Sequence, residues 1–330
     1  MIRRLPTVAL LIASCLFAQN SREIILAARR TPVVEVIDAA TLDTVARLHF
    51  NSPIERLRMS ADGGVIFVEA LEPGCCKTYA LDFSSMQITA LKAPRYPTNS
   101  LPSPDGQWRY DLKNFRGVTV TAVNLVTHQS VEMSPAGLPP DNPDGNWAGT
   151  GVWSEDHFYF YVDGPGDPGY LWTVQPGART LGSGIRVDAF NEAPGCRQYL
   201  PVSKSLVAAA GNIFIYEPFG GKSDRTVVCK TQLLGGAWRL DPATGHLSAY
   251  IAPEFHFNTL LANRSGSILY GVDPGSANWS GPVQLVSVDS RDGTILKTRS
   301  FDPGVLQIGV GQLREVPAGD VYLMLPPAGQ

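Results

Sequence analysis

Cys75 and Cys76 stand side by side behind Pro73-Gly74, in the stretch LEPGCCKTYALD from Leu71 to Asp82. A vicinal pair can be a redox centre, part of a metal set, or a structural clip. Cys196 and Cys229 lie far along the chain, and Cys15 lies in an N-terminal apolar run. A zinc site is disfavoured, because only Cys75 and Cys76 are close and no zinc spacing fits. The histidines, His49, His128, His157, His246 and His256, form neither His-x-His nor His-Glu-x-x-His. Asp141 to Asn146 (DNPDGN) is oxygen-rich. It lacks the alternating ligands and distal Glu of a calcium loop, and reads as a Gly/Pro-rich connection. Nucleophile and nucleotide motifs fare no better. Gly182-Ser183-Gly184 falls short of Gly-x-Ser-x-Gly. Gly309-Val310-Gly311 runs into Gln-Leu-Arg instead of a phosphate loop. No metal and no cofactor is expected from these motifs.

The compartment decides how the cysteines are read. MIRR is a short basic start, and LPTVALLIASCLFA is an apolar run too short to span a bilayer comfortably. Residues 1–18 are expected to be a signal peptide cleaved after Ala18, with 19–330 the mature domain. An uncleaved anchor is the weaker alternative. Ile12-Ala13-Ser14-Cys15 resembles a lipobox, so lipidation of Cys15 stands as the other route. Export to the periplasm or the outside follows in either case, and no membrane span is expected after signal removal. Four cysteines then remain, and an oxidising compartment favours disulfides among Cys75, Cys76, Cys196 and Cys229. The full chain carries a net charge of −3, and loss of Arg3 and Arg4 makes it more acidic. That excludes a nucleic-acid partner held by a basic face.

The elements that must position these residues are strands. With 44% hydrophobic and 17% charged residues, the chain can bury a core. Two kinds of hairpin alternate. One turns on Asp or Asn: Asp38, Asp82, Asn124, Asp241 and Asp289, with a degenerate copy at Gln175-Pro176-Gly177. A carboxylate or amide there can accept from backbone N–H groups two residues on. The other turns on Ser-x-Asp-Gly or a relative, as in Ser103-Pro104-Asp105-Gly106. The Asp-turn positions run 38, 82, 124, 175, 241, 289, so the spacing is 44, 42, 51, 66 and 48 residues. One hairpin of each kind makes four strands, and four strands per roughly 40–50 residues is the period of a propeller blade.

VVEVIDAATLDTVARL followed by SADGGVIFVEA resembles the YVTN-type β-propeller repeat, and the likeness runs over residues 22–324. It implies an all-β fold: a single β-propeller of four-stranded antiparallel blades within the WD40-YVTN-like and quinoprotein amine dehydrogenase heavy-chain-like grouping. Seven blades are favoured, with six the alternative. The N-terminal strand Glu23 to Arg29 is expected to share a blade with the C-terminal hairpin, so that no edge stays open. FGGKSDRTVVCK, Phe219 to Lys230, is expected to be an insertion or an eroded half-blade.

In such a ring the loops that feed the inner strands meet at one mouth of the channel. Their polar and aromatic members here are Glu55, Tyr96, Asn99, Trp147, Arg197, Tyr199, His256 and Asn258. Converging, they would make a small-molecule site. Otherwise they are ordinary loop residues around a wet channel. The resemblance also implies precedent for a vicinal Cys75–Cys76 ring, since similar rings occur in some quinoprotein propellers. A Cys196–Cys229 bridge beside that ring is the first expectation, with pairing of either vicinal cysteine to Cys196 or Cys229 left open. A structural clip is favoured over a reactive centre. Function is expected to be binding or scaffolding of an unknown small molecule or protein. The alternative is an enzyme, lactonase-like or quinoprotein-type, with its site at the mouth.

Overall fold

The computed structural model describes residues 24–28, 31–59, 65–72, 75–82, 87–91, 100–103, 105–113, 119–135, 148–163, 169–187, 204–216, 236–257, 259–263, 265–273, 282–301 and 321–324. Every regular element among them is a strand. The first sheet contains β1 (Ile24–Ala28), β2 (Val33–Asp38) and β3 (Thr44–His49). The second is β4 (Ile54–Met59), β5 (Val65–Glu72), β6 (Cys75–Asp82) and β7 (Gln87–Ala90). The third is β8 (Ser100–Pro102), β9 (Trp108–Lys113), β10 (Thr119–Asn124) and β11 (Ser130–Met133). The fourth is β12 (Ala148–Ser154), β13 (His157–Asp163), β14 (Tyr170–Val174) and β15 (Ile185–Arg186). The fifth is β16 (Ser205–Ala209), β17 (Asn212–Tyr216), β18 (Ala237–Leu240) and β19 (Leu247–Ile251). The sixth is β20 (Thr259–Ala262), β21 (Ile268–Asp273), β22 (Val283–Asp289) and β23 (Ile295–Phe301). The last strand, β24 (Val321–Met324), returns to the first sheet and pairs with β1 in parallel, Ile25 opposite Val321 and Ala28 opposite Met324. The described residues thus form six four-stranded sheets, and every other strand pair is antiparallel. The expected sharing of one sheet by the two chain ends is seen, but its parallel sense was not foreseen.

The turns follow their sequence. At Asp38, Asn124, Asp241 and Asp289 the side chain accepts an N–H two or three residues on, with Thr41 to Asp38 at 2.7 Å and Ala243 to Asp241 at 2.9 Å. In each the residue four positions on donates its N–H back to the carbonyl of the Asp or Asn. That residue is left-handed: Leu42 (φ 59°), His128 (φ 58°), Gly245 (φ 77°) and Gly293 (φ 79°). The carboxylate or amide supplies the acceptor that the tight turn would otherwise lack. The second kind of turn closes at Ser103, whose N–H donates to the Trp108 carbonyl, and whose hydroxyl donates to Asp105 and accepts from the Trp108 N–H. Asn263 repeats the same closure with Ile268.

Side-chain alternation then sets the layering. On β1, Ile25 and Ala27 pack with Tyr270, Val272 and Leu285 of the sixth sheet. Leu26, between them, packs with Ile66, Val68 and Leu81 of the second sheet. On β13, Phe158, Phe160 and Val162 pack on Tyr110 and Val120 of the third sheet, while Tyr161 faces Ile213 and Ile215 of the fifth. On β17, Phe214 and Tyr216 face Leu260 and Val288 of the sixth. Five apolar junctions therefore link the sheets in the order second, first, sixth, fifth, fourth, third. Each sheet of this stack except the two at its ends is buried on both faces, which is why the Ile, Val and Phe runs read as near-continuous.

Two details hold junctions closely. Arg299 of β23 reaches 264 residues back to Glu35 of β2, with Nη2 2.9 Å from Oε2, and also donates to Thr44 Oγ1 at 2.8 Å and the Leu42 carbonyl at 2.9 Å. Gly245 meets the fourth sheet so tightly that an added Cβ would land on the Arg186 carbonyl.

Candidate functional site

The end of the sheets where inner strands begin is best described at the fifth and sixth sheets. The chain leaves β19, bends at Ala252 (φ 46°), and closes a short turn in which the Phe255 N–H donates to the Ala252 carbonyl at 3.1 Å. The Phe255 carbonyl then accepts from Gly236. His256 follows, and its backbone N–H donates to Asp273 Oδ2 at 3.0 Å. Asp273 ends β21 and is 7% exposed. Phe257 is buried and stacks with Phe255 at 6.1 Å between centroids. Gly271 is required beneath it, because a Cβ there would enter the Phe257 ring.

Tyr216 completes this wall. Its hydroxyl accepts the Leu260 N–H at 3.2 Å, across the junction between the fifth and sixth sheets. Burial pushes the Tyr216 phenol up, partly offset by the hydrogen bonds from Leu260 and with Ser205. The buried acid thus accepts a backbone N–H of the strand-feeding loop, His256, and the phenol accepts one of the strand it feeds, Leu260 of β20. That fixes the His256 loop to the two sheets.

Of the residues expected at the mouth, His256 is described, half-buried, on this rim. Glu55 lies in β4 at the register shift between Ile54 and Arg56, a bulge in the first strand of the second sheet. Tyr96, Asn99, Trp147, Arg197, Tyr199 and Asn258 lie outside the described residues, as do Cys15, Cys196, Cys229 and the 219–230 segment. Asn99, Trp147 and Asn258 are the residues immediately before β8, β12 and β20 in the sequence. Cys75 and Cys76 belong to β6, paired in register with Glu72 and Leu71 of β5, and not to a free loop. Pro73-Gly74 alone separates the two strands there. The sequence reading missed Asp273 and Tyr216. The signal for the first was present, since β13 and β21 both end in Val-Asp, at Asp163 and Asp273.

Two further phenols outside this rim are shifted by their surroundings. Burial pushes the Tyr110 phenol up to about 12, and its hydroxyl donates to the Gln175 carbonyl at 3.2 Å. Burial, then the charges of Glu155 and Asp156, raise Tyr159. His128 and His246 sit exposed at turns of the Asp type. Among the described residues no group of three or more His, Cys, Asp or Glu is placed to hold a metal.

No protein-family model matches the chain, and no curated protein sequence matches it significantly. Solved structures do align. TolB from Acinetobacter baumannii is 14% identical over 84% of this chain and 65% of its own, with a TM-score of 0.43. A chain of the nidogen/laminin complex is 12% identical over 93% of this chain and 99% of its own, with a TM-score of 0.47. The dihydro-heme d1 dehydrogenase NirN is 13% identical over 84% of this chain and 57% of its own, at 0.37. This chain thus spans less than two thirds of the TolB and NirN chains. The identities and TM-scores leave function to be argued from the residues.

Proposed function

We propose that the chain is an exported β-propeller of six blades that acts as a non-catalytic binding or scaffold module in the periplasm or at the cell surface. The blades are the six sheets, the sheet shared by β1 and β24 closes the ring, and the unseen junction lies between the second and third sheets. The binding surface is the mouth at which the inner strands begin, with His256 and the residues preceding β8, β12 and β20 on its rim. One observation carries the non-catalytic reading. The buried acid and phenol beside this loop are taken up by backbone: Asp273 accepts the His256 N–H of the loop, and Tyr216 the Leu260 N–H of the strand it feeds. A rim fixed in this way presents a constant shape, which favours binding by pre-organisation.

The test has two readouts. A ligand panel screened by thermal shift is expected to give saturable stabilisation that His256→Ala weakens while the fold persists. Lactone hydrolysis and dye-linked amine oxidation assays on the same protein are expected to stay at background. Turnover that disappears in His256→Ala would contradict the reading. Intact mass of protein secreted from a bacterial host, with and without reductant, reads cleavage after Ala18, lipid on Cys15, and the number of disulfides.

A further inference from the structure

The five described junctions are apolar, but the faces turned away from them on the second and third sheets each carry a carboxylate–hydroxyl couple. On β5 and β6, Val68, Ala70 and Tyr79 pack toward the first sheet. Alternation therefore turns Glu69 and Thr78 to the opposite face. They are cross-strand partners, 4% and 2% exposed. On β9 and β10, Tyr110, Val120 and Ala122 pack toward the fourth sheet. Asp111 and Thr121, again cross-strand partners, take the opposite face. The same carboxylate–hydroxyl couple thus occupies the second and third strands of two consecutive sheets.

These couples hold oxygen atoms that are buried without a hydrogen-bond partner: Thr78 Oγ1, Asp111 Oδ1 and Thr121 Oγ1. Arg109 takes only the other oxygen of Asp111, with Nη2 2.9 Å and Nε 3.2 Å from Oδ2. A buried polar atom without a partner is costly, because it gives up its hydrogen bonds to water and gains none in the protein. Three such atoms lie on two consecutive sheets, where one shared ligand would satisfy them all. A carboxylate oxygen only accepts, and a threonine hydroxyl offers lone pairs. Such a set suits a compact cation.

We propose that the second and third sheets meet across an oxygen-lined cleft that binds a compact cation, a metal ion or a primary ammonium head group, through Thr78, Asp111 and Thr121, with Glu69 as a second carboxylate. The proposal rests on the ring order, which makes these sheets neighbours, and not on the mouth as a binding surface. The cation would take the place that an apolar cluster takes at the other junctions.

The experiment measures melting temperature of the full chain against CaCl2, MgCl2, KCl, NaCl and methylammonium chloride at matched ionic strength. One of these is expected to give a saturable upward shift, and the metal and methylammonium arms separate the two sources of charge. Asp111→Asn is expected to weaken the half-saturation concentration about tenfold or more, as for loss of a charged hydrogen-bonding partner. Glu69→Gln reads the facing sheet. A response lost by Asp111→Asn but untouched by Glu69→Gln and Thr78→Val overturns the shared cleft. No shift with any of the five salts overturns the site. Thr78→Val with Thr121→Val guards against a folding artefact. If the hydroxyls hold a ligand, this double variant loses the cation response. A double variant that is more stable than the parent, with the response intact, contradicts the proposal.

Discussion

Arg299 offers the sharpest handle on how the last complete sheet is joined to the first. Its guanidinium bonds Glu35, Thr44 and the Leu42 carbonyl, and its Cζ lies 4.6 Å from the centre of the Phe301 ring. The Glu35 side chain is 9% exposed and that of Arg299 24%. Arg299→Leu keeps most of the packing volume but strips the guanidinium from the buried carboxylate. Breaking a fully buried pair costs about 3–5 kcal/mol. Partial exposure of Arg299 lets water screen what remains, so the expected loss is about 2–3 kcal/mol. That is a fall in melting temperature of roughly 3–4 °C for a chain of this size. Glu35→Gln keeps an acceptor for Thr44, so it should cost about 1–2 kcal/mol. The double variant should cost less than the sum of the singles, with a coupling of about 1 kcal/mol or more. Urea and thermal unfolding of the four proteins measure it. Strict additivity, or a loss below about 0.5 kcal/mol for Arg299→Leu, would refute the claim that this cluster holds the junction.

Three further outcomes are expected. Gly245→Ala and Gly106→Ala both place Ala at positive φ, but only Gly245 faces a neighbouring backbone, the Arg186 carbonyl, while Gly106 has open space around it. Gly106→Ala should cost about 1 kcal/mol and Gly245→Ala clearly more, read by unfolding midpoints. The Asp289 carboxyl is held down at about 2, first by the Arg291 side chain and then by the Arg291 N–H. Its contribution is present above the ordinary Asp value of 3.8 and lost as pH falls through about 2. Asp289→Asn, which copies the natural Asn124 turn, should leave neutral-pH stability nearly unchanged and flatten the acid limb between those two values. The Tyr110 phenol, raised to about 12, and the buried Tyr216 phenol should both ionise late in an alkaline absorbance titration, and Tyr110→Phe should reduce the amplitude of that late phase.

Local chemistry was legible in the sequence. Asp38, Asn124, Asp241 and Asp289 close turns where the pattern put them, because an Asx side chain and the positive-φ residue four positions on act within a single hairpin. Even the degenerate Gln175-Pro176-Gly177 closes a turn, with Ala178 donating to the Gln175 carbonyl. Long-range choices were not legible. No local rule links Arg299 to Glu35, and none sets the parallel register of β24 on β1. Cys75 and Cys76 stand behind Pro73-Gly74, which in the sequence looks like the start of a loop. The ladder instead runs on through Leu71 and Glu72 on one side and both cysteines on the other. At the mouth, polar loop residues were easy to nominate. Asp273 and Tyr216 were missed: the Val-Asp strand ending marks the position of Asp273, but nothing local says which backbone N–H either residue will meet.

The central claim is a closed ring of six sheets, and the junction between the second and third sheets tests it most directly. Spin labels placed by bio-orthogonal chemistry at Ile88 of β7 and Ser130 of β11 report that junction. A second pair, at Ser248 of β19 and Thr298 of β23, reports the packed junction between the fifth and sixth sheets. All four positions are exposed. Pulsed electron–electron resonance should give the two pairs similar, narrow distance distributions. A markedly longer or broader distribution for Ile88 and Ser130 alone would mean an open arc, and would contradict the propeller account.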